Sequence, residues 1–199
     1  MYSQNDEEMY VIRELGGMDP PGRFLDIGAC DGKLCSNTLA LVECGWGGVL
    51  VEPSPRAFLS LLDRHGDNEK LTLVNVAVGA SLETFSNLWT SPVELGYDTT
   101  EVSNKDKWQI AMRFSRPYFV PIAPLIGLLL YFGCDFDLVS IDTEGTSVDL
   151  FKAWPLELSR PKMFIVEHDG RVEECRTKAA GYSTIAANPE NLIFLRDAK

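Results

Sequence analysis

The sequence lacks the cysteine pattern of a disulfide-stapled or zinc-binding protein. Its five cysteines, an odd number with no Cys-x-x-Cys pair, are Cys30, Cys35, Cys44, Cys134 and Cys175. Structural zinc sites use closely spaced chelating pairs, and secreted disulfide frameworks use even numbers of cysteines. We therefore expect reduced thiols, a cytoplasmic location and no zinc site at the cysteines. No metal is predicted elsewhere either, although a divalent cation held by Asp142, Glu144 and His168 stays open as an alternative.

A long apolar run is also missing. The longest, residues 119–132, is shorter than the roughly 20 residues that cross a bilayer, and prolines interrupt its first half. We expect a core helix there and no membrane span. The acidic, polar start MYSQNDEEMY has none of the basic and apolar character of a signal peptide.

Clustered positive charge is the third absence. The chain has 18 Lys and Arg against 29 Asp and Glu, a formal net charge of −11 at pH 7. Proteins that follow a phosphate backbone need basic stripes or patches, so we expect no nucleic-acid partner. The acidic balance favours cationic ligands instead. Nothing in the composition determines the oligomeric state.

Short apolar runs alternate with helical patterns along most of the chain. The predicted strands cover residues 23–28, 48–52, 71–78, 137–142, 162–168, 182–187 and 191–197. The predicted helices cover residues 7–15, 35–44, 54–66, 124–133, 147–154 and 172–180. Most of these strands are near-continuous in Val, Ile, Leu and Phe, which is typical of strands buried on both faces of a parallel sheet.

This alternation predicts an α/β fold with a Rossmann-like, doubly wound and mostly parallel sheet. The short link NPE between the last two strands predicts a C-terminal antiparallel hairpin. We expect one domain over residues 1–199, with a polar lead-in over residues 1–20. Residues 82–118 are long for a connection, which indicates an inserted substrate loop or lid.

The first strand ends in the glycine turn DIGACDG, which contains Gly28 and Gly32. A dinucleotide-binding turn reads Gly-x-Gly-x-x-Gly, but Cys30 stands where the second glycine would be. Asp31 would also repel a pyrophosphate. A ligand without phosphates, such as S-adenosylmethionine, therefore fits better than NAD, because acidic residues suit its ammonium and sulfonium groups.

Glu52 ends the second strand, twenty positions beyond Gly32. A carboxylate there can accept hydrogen bonds from both hydroxyls of a ribose. The alternative is a strand-end side chain in solvent. Because strand, glycine turn, helix, strand and acid occur together, we favour the ribose role.

Four segments resemble the FkbM-type family of class I S-adenosylmethionine-dependent methyltransferases. They are FLDIGACDGKLCSNT, GWGGVLVEPSP, DLVSIDTEGT and IVEHD, and the lead-in YSQNDEE and the stretch PIAPLIGLL are similar to the family too. The resemblance covers most of the chain and is weakest over residues 82–118. Two positions depart from it, since Cys30 stands where the family usually has Asn and Ser147 where an acid often follows.

The resemblance implies a cofactor site. The residues it places along the methionine half are Asp26, Gly28, Ala29 and Gly32, with Cys30 in the same turn. It places Glu52 on the ribose, Pro53 beside it, and Val76 and Ala77 against the adenine. It also places Asp142 near the sulfonium and the acceptor.

Methyl transfer to a hydroxyl needs a positioned acceptor and a group that takes its proton. The strand-end candidates are Asp142, Glu144, Glu167, His168 and Asp169. We favour Asp142, Glu144 and His168 as catalytic residues, since histidine is the commonest acid–base side chain. The alternatives are a helix cap for Asp142, a first-turn acid for Glu144 and a backbone-bonded strand end for His168.

The sequence therefore predicts a methyltransferase that uses S-adenosyl-L-methionine to methylate a hydroxyl on a sugar, glycan or small metabolite. Two alternatives stay open. One is a non-catalytic regulatory or assembly protein that binds S-adenosylmethionine, and the other is an NAD-dependent oxidoreductase. The predicted partner is the small-molecule or glycan acceptor.

Overall fold

The structure is a computed structural model that describes residues 2–15, 19–82, 84–90, 98–100 and 117–198. The helices in this part of the chain are α1 (Glu7–Leu15), α2 (Leu39–Glu43), α3 (Pro55–His65), α4 (Leu125–Phe132), α5 (Ser147–Ala153) and α6 (Val172–Lys178). The strands are β1 (Arg23–Ile27), β2 (Gly47–Val51), β3 (Leu71–Val74), β4 (Ala77–Gly79), β5 (Phe85–Trp89), β6 (Pro117–Pro124), β7 (Leu138–Ile141), β8 (Met163–Glu167), β9 (Tyr182–Ala187) and β10 (Asn191–Arg196).

A seven-stranded sheet with the order β3-β2-β1-β7-β8-β10-β9 forms the centre of the molecule. The first five strands in that order are parallel, and β10 runs antiparallel to both of its neighbours. The strand order reverses at β1, which lies between β2 and β7. The mostly parallel sheet with a C-terminal hairpin is therefore confirmed.

Successive apolar side chains of each strand point to opposite faces of this sheet, so helices pack on both faces. Leu25 and Ile27 point to the face covered by α4, α5 and α6, where Phe151 and Phe164 also pack. Phe24 points to the opposite face, where α1, α2 and α3 lie. Two hydrophobic layers on either side of one sheet make the fold doubly wound.

The first crossover helix is shorter than predicted. We expected residues 35–44 to be helical, but α2 begins only at Leu39. The Ser36 hydroxyl oxygen accepts hydrogen bonds from the N–H groups of Thr38 (3.3 Å) and Leu39 (3.0 Å), and Cys35 has φ 52°. Local side-chain bonds of this kind compete with a helix, so the chain stays in turns until Thr38.

The predicted strand over residues 71–78 is divided at Asn75. Its Nδ2 donates to the carbonyl oxygens of Glu52 (2.8 Å) and Pro53 (3.2 Å), which lie just beyond β2. β3 therefore ends at Val74, and β4 leaves the main sheet to join a three-stranded sheet of order β4-β6-β5.

The apolar run over residues 119–132 contains the helix predicted over residues 124–133, which α4 confirms, but the run is not helical throughout. Its first part belongs to β6, which pairs with β4 and β5, and only its second part forms α4. Proline removes a backbone donor and breaks a helix, which accounts for the extended start. Most of the predicted lid, residues 91–97 and 101–116, lies outside the described residues, so the lid and the single-domain assignment stay predictions.

Candidate active site

A pocket of about 980 Å³ lies at the edge where the parallel strands end. Its described walls come from the ends of β1, β2, β7 and β8 and from the turn after β1. The segment from the end of β3 through β5, residues 98–100, the lead-in and the turn before β10 complete them. Open α/β sheets bind ligands at this edge, where the strand order reverses. Roughly 300–1,000 Å³ is the usual size of a small-molecule site, so the pocket has room for a nucleoside and a second small molecule.

Gly28 brings three strand ends together. Its φ is 96°, and a Cβ there would lie 1.6 Å from the carbonyl oxygen of Asp142. Its N–H donates to the carbonyl oxygen of Val51 (2.9 Å), as does that of Ala29 (3.0 Å). Only glycine allows this approach, so Gly28 sets the spacing between the ends of β1, β2 and β7.

Glu52 faces the pocket from the end of β2 and is 6% exposed. One carboxylate oxygen accepts from the N–H of Cys30 at 2.8 Å, and the other accepts from the N–H of Ser54 at 2.7 Å. Burial raises the pKa of Glu52 to about 7, against the lowering effect of these two N–H groups. Each carboxylate oxygen can accept one more hydrogen bond, so the side chain is fixed and can still bind a pair of hydroxyls.

An apolar surface adjoins Glu52. Its members lie directly after Glu52, on the segment that follows β3, or in β5, and they are Pro53, Val76, Ala77, Val78 and Leu88. Val76 and Ala77 were predicted at the end of the third strand, but Val76 follows the break and Ala77 begins β4. The break at Asn75 turns this segment over the strand ends, where a flat ring could pack against it.

Three carboxylates converge in the middle of the pocket. One oxygen from each of Asp142, Glu144 and Glu167 lies within 4.8 Å of the others. Glu167 Oε2 accepts hydrogen bonds from the Ser147 hydroxyl (2.9 Å) and the Glu144 N–H (3.1 Å). Burial raises the pKa of Asp142 well above its ordinary value, and the charges of Glu167, Glu144 and Asp26 raise it further.

This carboxylate cluster can do two kinds of chemistry. A carboxylate with a raised pKa is a stronger base than a free one, so Asp142 is suited to accept a proton from a neighbouring group. Carboxylate oxygens are also the ligands that hard divalent cations take, and these three side chains are close enough to share one.

Three non-glycine residues in the left-handed region follow neighbouring strands at this edge. They are Cys30 after β1 (φ 51°), Glu144 after β7 (φ 50°) and Asp169 after β8 (φ 46°). Such conformations cost on the order of 1–3 kcal/mol each and concentrate at functional sites. All three residues line the pocket, so the backbone strain of these loops lies at the site itself.

Three of the predicted cofactor residues belong to the glycine turn but do not line the pocket. Ala29 and Asp26 are 4% exposed, and Asp26 accepts a 2.7 Å hydrogen bond from the Thr38 hydroxyl. Burial raises the pKa of Asp26 to about 6, against the lowering effect of hydrogen bonds from Thr38 and Ser140. A Cβ at Gly32 would meet Leu61 of α3 at 2.6 Å. These three residues therefore face the protein interior and hold the turn in place.

His168 also lies away from the pocket lining. Its Nδ1 accepts the N–H of Gly170 at 2.9 Å, and its Nε2 lies 3.1 Å from the carbonyl oxygen of Asn188. Both ring nitrogens are thus occupied by backbone groups, and the side chain is 6% exposed. This geometry matches the structural alternative, in which the histidine fixes a strand end, so the catalytic role predicted for His168 has no support from its position.

Cys30 lines the pocket, but its thiol is not suited to nucleophilic chemistry. Burial, and next the charge of Glu52, raise its pKa to about 12. It therefore stays protonated at neutral pH. Its backbone N–H, which holds Glu52, is the more useful group at this position.

Several residues that line the pocket were not predicted as site residues. Glu167 was a candidate for proton removal but was not among the favoured residues. Its position was a usable signal, because it is the last residue of a parallel strand and Glu52 is the first residue after another. Gln4 and Glu190 line the pocket from the lead-in and from the turn before β10. Gln4 belongs to the family-like segment YSQNDEE, and no motif marks Glu190. Neither was predicted at the pocket, since their positions depend on contacts between segments far apart in the chain.

The family described as the Methyltransferase FkbM domain matches residues 26–181. The chain belongs to this family. The resemblance found in the sequence is thereby confirmed, and the family and its fold indicate a methyltransferase. No curated protein sequence matches the chain significantly.

Solved methyltransferase structures share the fold. The precorrin-6y C5,15-methyltransferase of Geobacter metallireducens aligns with a TM-score of 0.53 and 12% sequence identity, over 98% of this chain and 93% of that one. The SAH-bound methyltransferase PaMTH1 of Podospora anserina aligns with a TM-score of 0.53 and 11% identity, over 98% and 80% of the two chains. This similarity confirms the Rossmann-like class I methyltransferase fold.

None of the helices in the described part of the chain has both the length and the apolar character needed to span a bilayer.

Proposed function

We propose that this member of the FkbM family is an S-adenosylmethionine-dependent O-methyltransferase that acts on a hydroxyl of a sugar or related small metabolite. The observation that carries the proposal is that one pocket joins Glu52 to the carboxylates of Asp142 and Glu167. The first can bind a ribose, and the others can take a proton from a hydroxyl. Family membership supports methyl transfer as the reaction.

The residues of the pocket fit the cofactor. Glu52 would hold the ribose hydroxyls, and the apolar surface that includes Pro53 and Val76 would hold the adenine. Gly28 leaves its backbone open for the methionine half, and Asp142 would stabilise nearby positive charge. When bound, S-adenosylmethionine would supply a methyl group attached to a sulfonium, which is electrophilic at carbon.

A hydroxyl acceptor fits the carboxylate cluster better than a group that needs no proton removal. A hydroxyl is a weak nucleophile until it loses its proton, so a neighbouring base accelerates its reaction. Asp142 has a raised pKa because it is buried beside Glu167 and Glu144. The Ser147 hydroxyl holds Glu167 in place.

The decisive experiment is calorimetric titration with S-adenosylhomocysteine, with NAD in a parallel titration. We expect the parent protein to bind S-adenosylhomocysteine and not NAD. Glu52→Ala should weaken that binding roughly 10- to 150-fold, because a hydrogen-bonded charged group contributes about 1.5–3 kcal/mol. The exposed Glu69→Gln, which changes a carboxylate outside the pocket, is the control and should bind as the parent does.

The enzymatic part is tested by methyl transfer to a panel of monosaccharides, inositols and small phenols. Turnover on a hydroxylated compound supports the proposal. Binding of S-adenosylhomocysteine without turnover on any panel member would favour the non-catalytic alternative. Binding of NAD in its place would support the oxidoreductase.

A further inference from the structure

Residues of the lead-in reach the rim of the pocket, on the side away from Glu52. Gln4 lines the pocket there, and its Nε2 donates to Glu190 Oε1 at 2.9 Å. The neighbouring Asn5 donates to Glu190 Oε2 at 3.1 Å. The lead-in and the turn between β9 and β10 therefore form one wall.

A buried carboxylate fixes the lead-in to that turn. Glu7 is 0% exposed, and its Oε1 accepts from the side-chain amides of Asn188 (2.7 Å) and Asn191 (2.8 Å). Its Oε2 accepts from the N–H of Asn5 at 2.9 Å. Burial by itself would raise the pKa of Glu7, but these hydrogen bonds bring it below its ordinary value. Glu7 is therefore a satisfied, charged anchor, and the wall has a defined position.

This wall lies at the opposite end of the pocket from the predicted ribose site. Asn191 pairs with Glu167 at the end of β8, so Glu190 precedes β10 at the same edge of the sheet. Glu52 follows β2, which is four strand spacings from β10 and hence roughly 19 Å away. The carboxylates of Asp142 and Glu167 lie between these ends, so a molecule beside Glu190 would occupy the acceptor side.

We propose that Gln4 and Glu190 bind the acceptor and restrict it to neutral, polyhydroxylated molecules. This inference rests on the proposed function. Gln4 uses its amide N–H on Glu190, which leaves its carbonyl oxygen and the Glu190 carboxylate to accept hydrogen bonds. The hydroxyls of a sugar or cyclitol donate such bonds.

A phosphorylated acceptor would meet repulsion at the same wall. Glu190, Glu167 and Asp169 all line this part of the pocket and carry acidic side chains. Among the described lining residues there is no Lys, Arg or His to offset them. Unfavourable charge of this kind excludes a competing ligand even where its shape fits.

The test compares each neutral member of a panel of monosaccharides and inositols with its monophosphate, using S-adenosylmethionine as donor. The parent should prefer the neutral compound by at least about 100-fold in kcat/KM, as several like charges in one pocket would require. Gln4→Ala and Glu190→Gln should raise KM for the neutral acceptor roughly fivefold to tenfold while kcat changes less than about threefold. Glu190→Gln should also reduce the discrimination against the phosphate.

Glu157→Gln, an exposed change outside the pocket, is the matched control and should leave KM unchanged. All variants should bind S-adenosylhomocysteine as the parent does, since the changes are remote from Glu52. Equal use of neutral and phosphorylated acceptors, or an unchanged KM in both wall variants, would overturn this inference and leave the proposed function intact. Failure of the parent to bind S-adenosylhomocysteine would overturn both.

Discussion

Asp142 and His168 both follow a parallel strand, but their surroundings suit Asp142 to a chemical role and His168 to a structural one. Asp142 lines the pocket beside two other carboxylates, whereas both ring nitrogens of His168 bond to backbone groups. The strand-end position of Asp142 and Glu52 was visible in the sequence. The partners of His168 were not, because Asn188 lies 20 positions away in a turn whose path depends on the whole sheet.

Asp142→Asn tests the proton-accepting role at this scale. The amide keeps the shape of the side chain but is no base, so we expect turnover to fall roughly 10²- to 10⁴-fold. Affinity for S-adenosylhomocysteine should change less than about threefold, since the ribose contact is elsewhere. The exposed Asp67→Asn serves as the control for loss of a carboxylate.

The same prediction has a pH signature. Because the pKa of Asp142 is raised, the rate of the parent enzyme should climb with pH through a value above the ordinary range of a carboxyl. This acidic limb should be missing from the residual activity of Asp142→Asn. A variant with full turnover would remove Asp142 as the base.

At the scale of elements, most strands of the sheet could be predicted from the sequence, but the break in the predicted strand at Asn75 could not. Continuous apolar runs identified the five parallel strands, and NPE identified the hairpin, because burial on both faces and tight turns leave local marks in a sequence. The run LTLVNVAV has no such mark at its centre. There, Asn75 Nδ2 donates hydrogen bonds to the carbonyl oxygens of Glu52 and Pro53, and this contact between separate segments leaves no local pattern in the sequence.

Asn75→Ala should loosen the chain around Glu52. The variant loses two hydrogen bonds, so the free energy of unfolding should fall by about 1–2 kcal/mol. Affinity for S-adenosylhomocysteine should fall several-fold, because Glu52 and the apolar surface both adjoin this contact. Urea unfolding and calorimetric titration measure the two effects.

Asn68→Ala is the matched control for that variant. Asn68 Oδ1 accepts from the N–H of Lys70 at 3.1 Å in a turn away from the pocket. Its loss should lower stability without changing ligand affinity. Equal affinity in the Asn75 and Asn68 variants would show that the break in the strand has no part in binding.

At the scale of the whole molecule, the face of the sheet on which a side chain lies determines whether a predicted site residue lines the pocket. Asp26 was expected to line the cofactor pocket, but it points into the layer between the sheet and α1, α2 and α3, among Thr38 and Ser140. A strand buried on both faces gives no sequence signal for the face on which its polar residue lies.

This burial makes the stability of the molecule depend on pH. The folded-state pKa of Asp26 is about 6, above its ordinary value of 3.8. As pH rises through that window the unfolded chain releases the proton first, so the Asp26 contribution to the free energy of unfolding decreases. The Asp26→Asn side chain does not titrate, so the variant keeps its free energy of unfolding at this position as pH rises. Its amide oxygen can still accept the hydrogen bond from Thr38. Relative to the parent, its stability should therefore increase between pH 4 and pH 7, by up to about 3 kcal/mol.

Urea unfolding of both proteins at several pH values measures that difference, and other titrating groups cancel in the comparison. A difference that stays constant across the window would contradict the buried, protonated state of Asp26.

The anchor between Glu7 and Asn191 joins positions 184 residues apart. Closing so large a loop costs chain entropy before any contact compensates for it, and such distant pairings form late in folding. The hydrogen bond that fixes the proposed ribose ligand Glu52 joins positions much closer in sequence, since Cys30 is only 22 residues away. A refolding population should consequently regain nucleoside binding before it can discriminate among acceptors.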